Sequence, residues 1–224
     1  MTADLPLPTD DEYVPDAEAT AKAVVDSFFD HLAAHVQHDA VPDDFVPRMR
    51  AELAELESAN AHRVVDQAAA ANLRMTLAVV VADRALRPQI GREATLAALR
   101  AAFIEPLADI VHDSTRAMLD AAEDPFAAMV ASAKAREKHT FGAGFTFDRR
   151  ADDDQRYHVD VVRCFYYQVL DAHSATDLAP LMCDFDTNWM GAIDPAQHGF
   201  RFERATTIGY GGARCPFYWD RVQS

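Results

Sequence analysis

The reactive side chains of this sequence are concentrated in its C-terminal third, around the stretch LMCDFD. Asp186 follows Cys183 by three residues, so the two side chains share one face if the stretch is helical. A carboxylate this close raises the pKa of a thiol unless a cation compensates, and Arg204, Arg214 and His158 are the candidate cations. A thiol and a carboxylate together are suited to nucleophilic attack or to activation of water.

The other two cysteines lie at predicted strand ends. Cys164 closes one predicted strand and Cys215 opens the last one, and strand ends and the loops beside them often present functional groups. Free cysteine is, however, among the most buried residue types and often serves as a small hydrophobic residue. If the thiols are functional, we expect Cys183, Asp186 and Cys215 to converge on one pocket between the sheet and the helices.

Metal and cofactor motifs are scarce. The sequence contains no G-x-S-x-G, H-E-x-x-H or C-x-x-C motif and no phosphate-binding glycine loop, so we expect no cofactor. His31 and His35, spaced i,i+4 with His38 close behind, flank an apolar stripe and have no acidic or cysteine third ligand, which disfavours a metal site. The alternative to an enzyme is a non-enzymatic small-molecule-binding or sensing module, in which the three cysteines and His158 hold a structural zinc ion.

Composition restricts the function classes. The chain has 224 residues, half of them hydrophobic, and a net charge of −15, which favours a folded chain and disfavours nucleic acid as a partner. The first residues lack the features of a signal or transit peptide and no apolar run could span a bilayer, so we expect a cytoplasmic protein without membrane contact. We expect a small-molecule substrate; the sequence leaves open whether the chain is a homo-oligomer.

Two parts of one domain are predicted. Residues 1–16 are expected to be a flexible arm, and residues 17–224 a single α+β domain. Its helical part, residues 17–140, has apolar residues at three- and four-residue spacing. AAAANLRMTLAVVVADRAL is predicted to be the most buried helix, and Pro106 is expected to kink or split the next one. Other helices are predicted from about residue 16, within 42–67 from Asp43 or Pro47, and over 125–138.

The sheet part, residues 141–224, begins where the hydrophobic period changes to two. GFTFDRR and RYHVDVVRC alternate and are joined through RRADDDQR, with Tyr157 and Val159 on one face and His158 and Asp160 on the other. FRFERATTI and CPFYWDRV form a second pair, joined by the turn GYGGAR. The predicted fold is α+β, an N-terminal helical layer packed on a four-stranded antiparallel sheet that carries the site.

The order of motifs in this third resembles the family of L-2-amino-thiazoline-4-carboxylic acid hydrolases. Members have a cysteine that ends a strand, a cysteine followed three residues later by aspartate, and an Arg-x-x-Thr-Leu-x-x-Gly hairpin that leads to Cys-Asp-Phe. The resemblance spans about residues 142–222, with departures at Ile208, Gly212 and Pro216, where the pattern has leucine, an acid and aspartate. The matching residues are Cys164, Cys183, Asp186, Arg204, Thr207, Gly211, Cys215 and Phe217.

The resemblance implies a hydrolase that opens a small nitrogen-containing heterocycle, such as a cyclic amidine, thiazoline or lactam, at a C–N or C–S bond. Cys183 and Asp186 can then act as nucleophile and base, or Asp186 can activate water. Arg204 is the candidate anchor for a substrate carboxylate because its planar fork matches one; the competing interpretation is that it pairs with Asp184 or Asp186. The remaining candidates are Cys215 as a second thiol, His158 as a proton shuttle, and Cys164, Trp189 and Thr207 as substrate contacts.

Overall fold

The computed structural model of the protein describes residues 16–36, 42 and 44–222. The predicted arm up to residue 15, His38 and Asp43 lie outside these residues. The helices are α1 (Ala17–His35), α2 (Phe45–Ala59), α3 (Gln67–Ile90), α4 (Arg92–Ala121), α5 (Pro125–Arg136), α6 (Phe165–Ala172), α7 (Ala179–Asp184), α8 (Thr187–Met190) and α9 (Pro195–His198). The strands are β1 (Thr146–Asp152), β2 (Arg156–Arg163), β3 (Phe200–Glu203) and β4 (Cys215–Arg221).

The helical layer is organised around α3, which has a larger buried set than the other described helices and confirms its prediction. Helix α4 continues through Pro106 without splitting. Helix α2 ends at Ala59, earlier than the predicted segment, because Asp66 leaves the helical conformation and caps α3 with a 2.6 Å hydrogen bond from the Ala69 amide. Among the described helices, none has the length and apolar character needed to cross a bilayer.

The four strands form one antiparallel sheet in the order β1-β2-β4-β3, as predicted in number and direction. Alternation is also confirmed, because Tyr157, Val159 and Val161 of β2 are buried and face the helical layer. The predicted pairing of the last two strands is confirmed, but their connection is longer than the predicted turn GYGGAR. Strand β3 ends at Glu203, and residues 204–214 form a longer connection built around the 3₁₀ turn Ile208–Tyr210.

The Thr207 side chain stabilises this connection. Its hydroxyl oxygen accepts a hydrogen bond from the Tyr210 amide at 3.3 Å, and its carbonyl accepts one from the Gly212 amide at 2.9 Å. Gly211 has a φ of 86°, a conformation that favours glycine. The connection therefore packs against α7 through the turn Ile208–Tyr210, in addition to joining the two strands.

Candidate active site

A cavity of about 300 Å³ lies between the inner face of the sheet and helices α1, α3, α4 and α5. Most of the wall is apolar, with polar groups grouped near α7 and at the end of α5. Seven of the predicted site residues line it: Cys164, Cys183, Asp186, Trp189, Arg204, Thr207 and Cys215. The expected convergence of Cys183, Asp186 and Cys215 on one pocket is therefore observed.

The Cys183 sulfur is held by the connection that follows β3. The Thr207 hydroxyl donates a hydrogen bond to Sγ at 3.1 Å. A Cβ atom on Gly209 would lie 2.7 Å from this sulfur, so only glycine allows the approach. Burial raises the pKa of the Cys183 thiol and so does the Asp186 charge, while the Thr207 hydroxyl, Arg204 and the backbone of Gly209 oppose that rise.

The Asp186 carboxylate has two protein partners. Its Oδ2 accepts a hydrogen bond from Arg204 at 2.5 Å, and its Oδ1 accepts one from the Trp189 indole at 3.1 Å. The same guanidinium donates to the Cys183 carbonyl at 3.1 Å and lies 5.4 Å from the centre of the Phe217 ring. Because protein groups engage both ends of its fork, Arg204 positions Asp186, which supports the competing interpretation of this residue.

The other two thiols are held in their protonated form. Burial raises the pKa of Cys215 to about 11. The Ile208 amide donates a hydrogen bond to the Cys215 sulfur at 3.1 Å and acts in the opposite direction, but burial has the larger effect. Burial raises the pKa of Cys164 to about 12, although it stands at the start of α6. Both thiols complete the wall beside Cys183, and neither is a nucleophile near neutral pH.

His158 does not belong to this cavity. Its side chain lies on the outer face of the sheet, where Nε2 is 2.9 Å from Asp220 and the ring stacks on Tyr218 at a centroid distance of 4.3 Å. Its neighbours Tyr157 and Val159 face the helices, so strand alternation turns His158 away. The predicted proton shuttle is corrected accordingly, and the cysteines and His158 do not assemble a Cys₃His zinc site.

Metal binding has no other candidate in the part of the chain that the structure describes. The rings of His31 and His35 stack at 4.2 Å, and no group of three or more histidine, cysteine, aspartate or glutamate side chains in the described ranges is placed to hold a metal ion.

Two other sequence features also fall on the outer face. Arg214, considered as a cation for Cys183, pairs instead with buried Asp160 at 3.2 Å. Pro216 is aligned with Asp160 in the sheet, while its neighbours Cys215 and Phe217 line the cavity. The departure from the family pattern at Pro216 therefore removes no carboxylate from the cavity.

The sequence reasoning missed a group of cavity residues at the end of α5. Arg136 closes this helix, and a π-helical turn, Glu137–Phe141, follows it; π turns are rare and often occur at functional sites. Arg136, Glu137 and His139 line the cavity. The available signal was the basic run AKAREKH next to HTFGAGF, which reads equally well as an ordinary helix end.

Fold and site together define an α+β protein with an internal small-molecule cavity, where a thiol lies beside a carboxylate that an arginine holds. The family model described as L-2-amino-thiazoline-4-carboxylic acid hydrolase matches residues 71–219, about two thirds of the chain, and the chain belongs to this family. The match begins within α3 and so includes α4, α5 and the π turn, beyond the motifs around the cysteines. Comparisons with curated proteins and with solved structures found no match.

Proposed function

We propose that this protein is a hydrolase that opens a small cyclic isothiourea or amidine, such as a thiazoline, with Cys183 as nucleophile. One observation carries the proposal: the Cys183 sulfur accepts a hydrogen bond from the Thr207 hydroxyl, and the Asp186–Arg204 pair lines the same cavity. The family description, a hydrolase of a thiazoline acid, supports it. The cavity volume of about 300 Å³ suits a small heterocycle.

The ring carbon between nitrogen and sulfur is the electrophile. The thiolate of Cys183 adds to this carbon, one ring bond from the carbon to nitrogen or sulfur breaks, and the departing atom takes a proton. Water then adds to the same carbon and releases the cysteine thiol, so the net reaction is substrate plus water to ring-opened product. The Thr207 hydroxyl stabilises the sulfur when it is negatively charged, both before attack and on release.

Asp186 supplies the acid–base function. Burial keeps the resting Cys183 thiol protonated, so attack requires a proton acceptor, and Asp186 lines the same cavity. Arg204 and Trp189 each occupy one of its oxygens, but a carboxylate has about four lone-pair sites and can still accept a proton or bind a substrate amidinium. The same pair fixes the direction in which the carboxylate points.

A substrate screen tests the proposal. Thiazolines, cyclic amidines and lactams are incubated with the protein, ring absorbance is followed, and products formed in ¹⁸O-labelled water are identified by mass spectrometry. We expect ring opening of thiazoline or amidine substrates with one labelled oxygen, strongly reduced in Asp186→Asn. Asp220→Asn, which changes an aspartate on the outer face, is the matched control and retains activity. Absence of ring opening in all three classes would contradict the proposal.

A further inference from the structure

Arg136 has an unusual environment for a cation. It closes α5, lines the cavity, and burial lowers the pKa of its guanidinium. Among the described residues, no side chain or carbonyl makes a hydrogen bond or ion pair with this guanidinium, and the Asp186 carboxylate acts on it only through its charge. Arg136 is partly buried and its remaining surface faces a mostly apolar cavity, where an anion is a better partner for a guanidinium than the apolar wall.

Two further polar groups that line the same cavity have no partner. His139 Nε2 and Trp219 Nε1 are buried without a hydrogen bond within the described part of the chain, and both residues line the cavity. Buried polar atoms are nearly always satisfied in native proteins. The cavity therefore offers Arg136 and two further unpaired polar groups to a ligand, whereas Arg204 is already engaged by Asp186.

Two residues, Asn72 in α3 and Asp66 at its N-cap, hold the π turn and the residues that follow it in place. Asn72, fully buried, donates to the Thr140 carbonyl in the π turn at 2.9 Å and accepts a hydrogen bond from the Tyr166 hydroxyl at 2.9 Å. Asp66 also accepts a hydrogen bond from the Ala143 amide at 2.7 Å, just after the turn. The chain that follows His139 is thus anchored to α3 and its N-cap at two points, Thr140 and Ala143.

We propose that Arg136 is the residue that binds the substrate carboxylate, a group that the family description already names. This rests on the proposed function and assigns the anchoring role to Arg136 in place of Arg204. A ring with an amidine at one end and a carboxylate at the other matches the cavity, with Asp186 facing the amidine and Arg136 the acid. A fixed interior cation is needed because the chain carries a net charge of −15, which repels anions at longer range.

Binding can be measured without catalysis. The sequence has two tryptophans, Trp189 and Trp219, and both line the cavity, so intrinsic fluorescence reports its occupancy. The probes are 2-aminothiazole-4-carboxylate, an aromatic and unreactive analogue, and its neutral 4-carboxamide. Dissociation constants for both are measured with wild type, Arg136→Met, Arg136→Lys and the control Arg214→Met, which removes an arginine from the outer face.

We expect the wild type and Arg214→Met to bind the carboxylate about 10- to 100-fold more tightly than the carboxamide. Arg136→Met should bring this ratio close to one, and Arg136→Lys should give an intermediate ratio because lysine cannot form the bidentate contact. If circular dichroism shows that Arg136→Met is unfolded, the lysine variant decides alone. An unchanged ratio in the folded Arg136 variants, or no preference in the wild type, would overturn the proposal.

Failure of this inference and failure of the proposed function are distinguishable. If the wild type opens rings but the preference for the carboxylate probe is unchanged in the Arg136 variants, Arg136 is not the anchor of the substrate carboxylate. The hydrolase proposal then still stands. If the wild type opens no ring but the preference for the carboxylate probe is lost in Arg136→Met, the hydrolase proposal is rejected and the anion site is supported.

Discussion

Replacing Gly209 by alanine should disturb the site at its tightest contact. A Cβ atom there would lie 2.7 Å from Cys183 Sγ and 2.9 Å from both the carbonyl carbon and the carbonyl oxygen of Ala179. Favourable contacts between such atoms are about 3.5–4.0 Å. Gly209 does not have a positive φ, so the cost of alanine is a steric clash rather than backbone strain.

A side-chain rotation cannot relieve this clash, because two of the three close atoms belong to the backbone of α7. The turn Ile208–Tyr210 must therefore move by up to about 1 Å. That movement lengthens the 3.1 Å contacts from Thr207 to Cys183 and from the Ile208 amide to Cys215. Overpacking of this kind costs about 1–3 kcal/mol of stability, or roughly 2–12 °C in Tm for a domain of this size.

Activity should fall further than stability suggests. The loss of one hydrogen bond to a charged sulfur is worth about 1.5–3 kcal/mol, so kcat/KM for ring opening should drop roughly 10- to 100-fold. The assay combines thermal melts with ring-opening rates for wild type and Gly209→Ala. Gly191→Ala is the matched control, since a Cβ there meets its nearest atoms at 3.6 and 3.8 Å. A Gly209→Ala protein that melts and turns over like the wild type would refute this account of the turn.

Three further perturbations separate the site from the fold. At pH 8, iodoacetamide should label Cys183 before Cys164, whose pKa is about 12. Because burial also raises the pKa of Cys183, the rate of its labelling should increase as the pH rises. Labelling of Cys164 first, as detected by mass spectrometry, would contradict this. Asn72→Leu leaves the Tyr166 hydroxyl and a π-turn carbonyl unpaired, so we expect about 2–4 kcal/mol less stability. Binding of the carboxylate probe, followed by fluorescence, should also weaken. Unchanged binding would count against the role of Asn72 in holding the π turn. Asp160→Asn weakens the contacts of a fully buried carboxylate with half-exposed Arg150 and Arg214 and with Tyr218 on the outer face and should cost about 1–2 kcal/mol in denaturant titrations at unchanged ring-opening rate.

Much of the architecture could be predicted because strands and helices have different hydrophobic periods. Alternation in RYHVDVVRC gave the correct faces of β2, and the apolar run of α3 marked the helix at the centre of the layer. The spacing of Cys183 and Asp186 correctly indicated that both could reach one pocket, since α7 and α8 follow each other almost without interruption.

The errors have physical causes. Alternation already separated His158 from Tyr157, but the sequence did not show which face of the sheet carries the cavity, and both faces contain aromatic and polar residues. The glycines of GYGGAR predicted a turn confined to these six residues, whereas the connection spans 204–214 and its shape depends on the Thr207 side chain and on contacts with α7. Arg136 was missed because a π turn follows it, and a π turn changes which residues face inward without changing the composition.

The central claim is that Cys183 attacks the ring of a small heterocycle, and its most direct test is the turnover of L-2-amino-thiazoline-4-carboxylic acid by wild type and Cys183→Ser. Serine has nearly the volume of cysteine but a far higher pKa, so the fold should be preserved while the nucleophile is lost. We expect ring opening by the wild type and a decrease in kcat of at least about 1,000-fold in the variant, with an unchanged melting temperature. Near-normal turnover by Cys183→Ser would contradict nucleophilic catalysis by this cysteine.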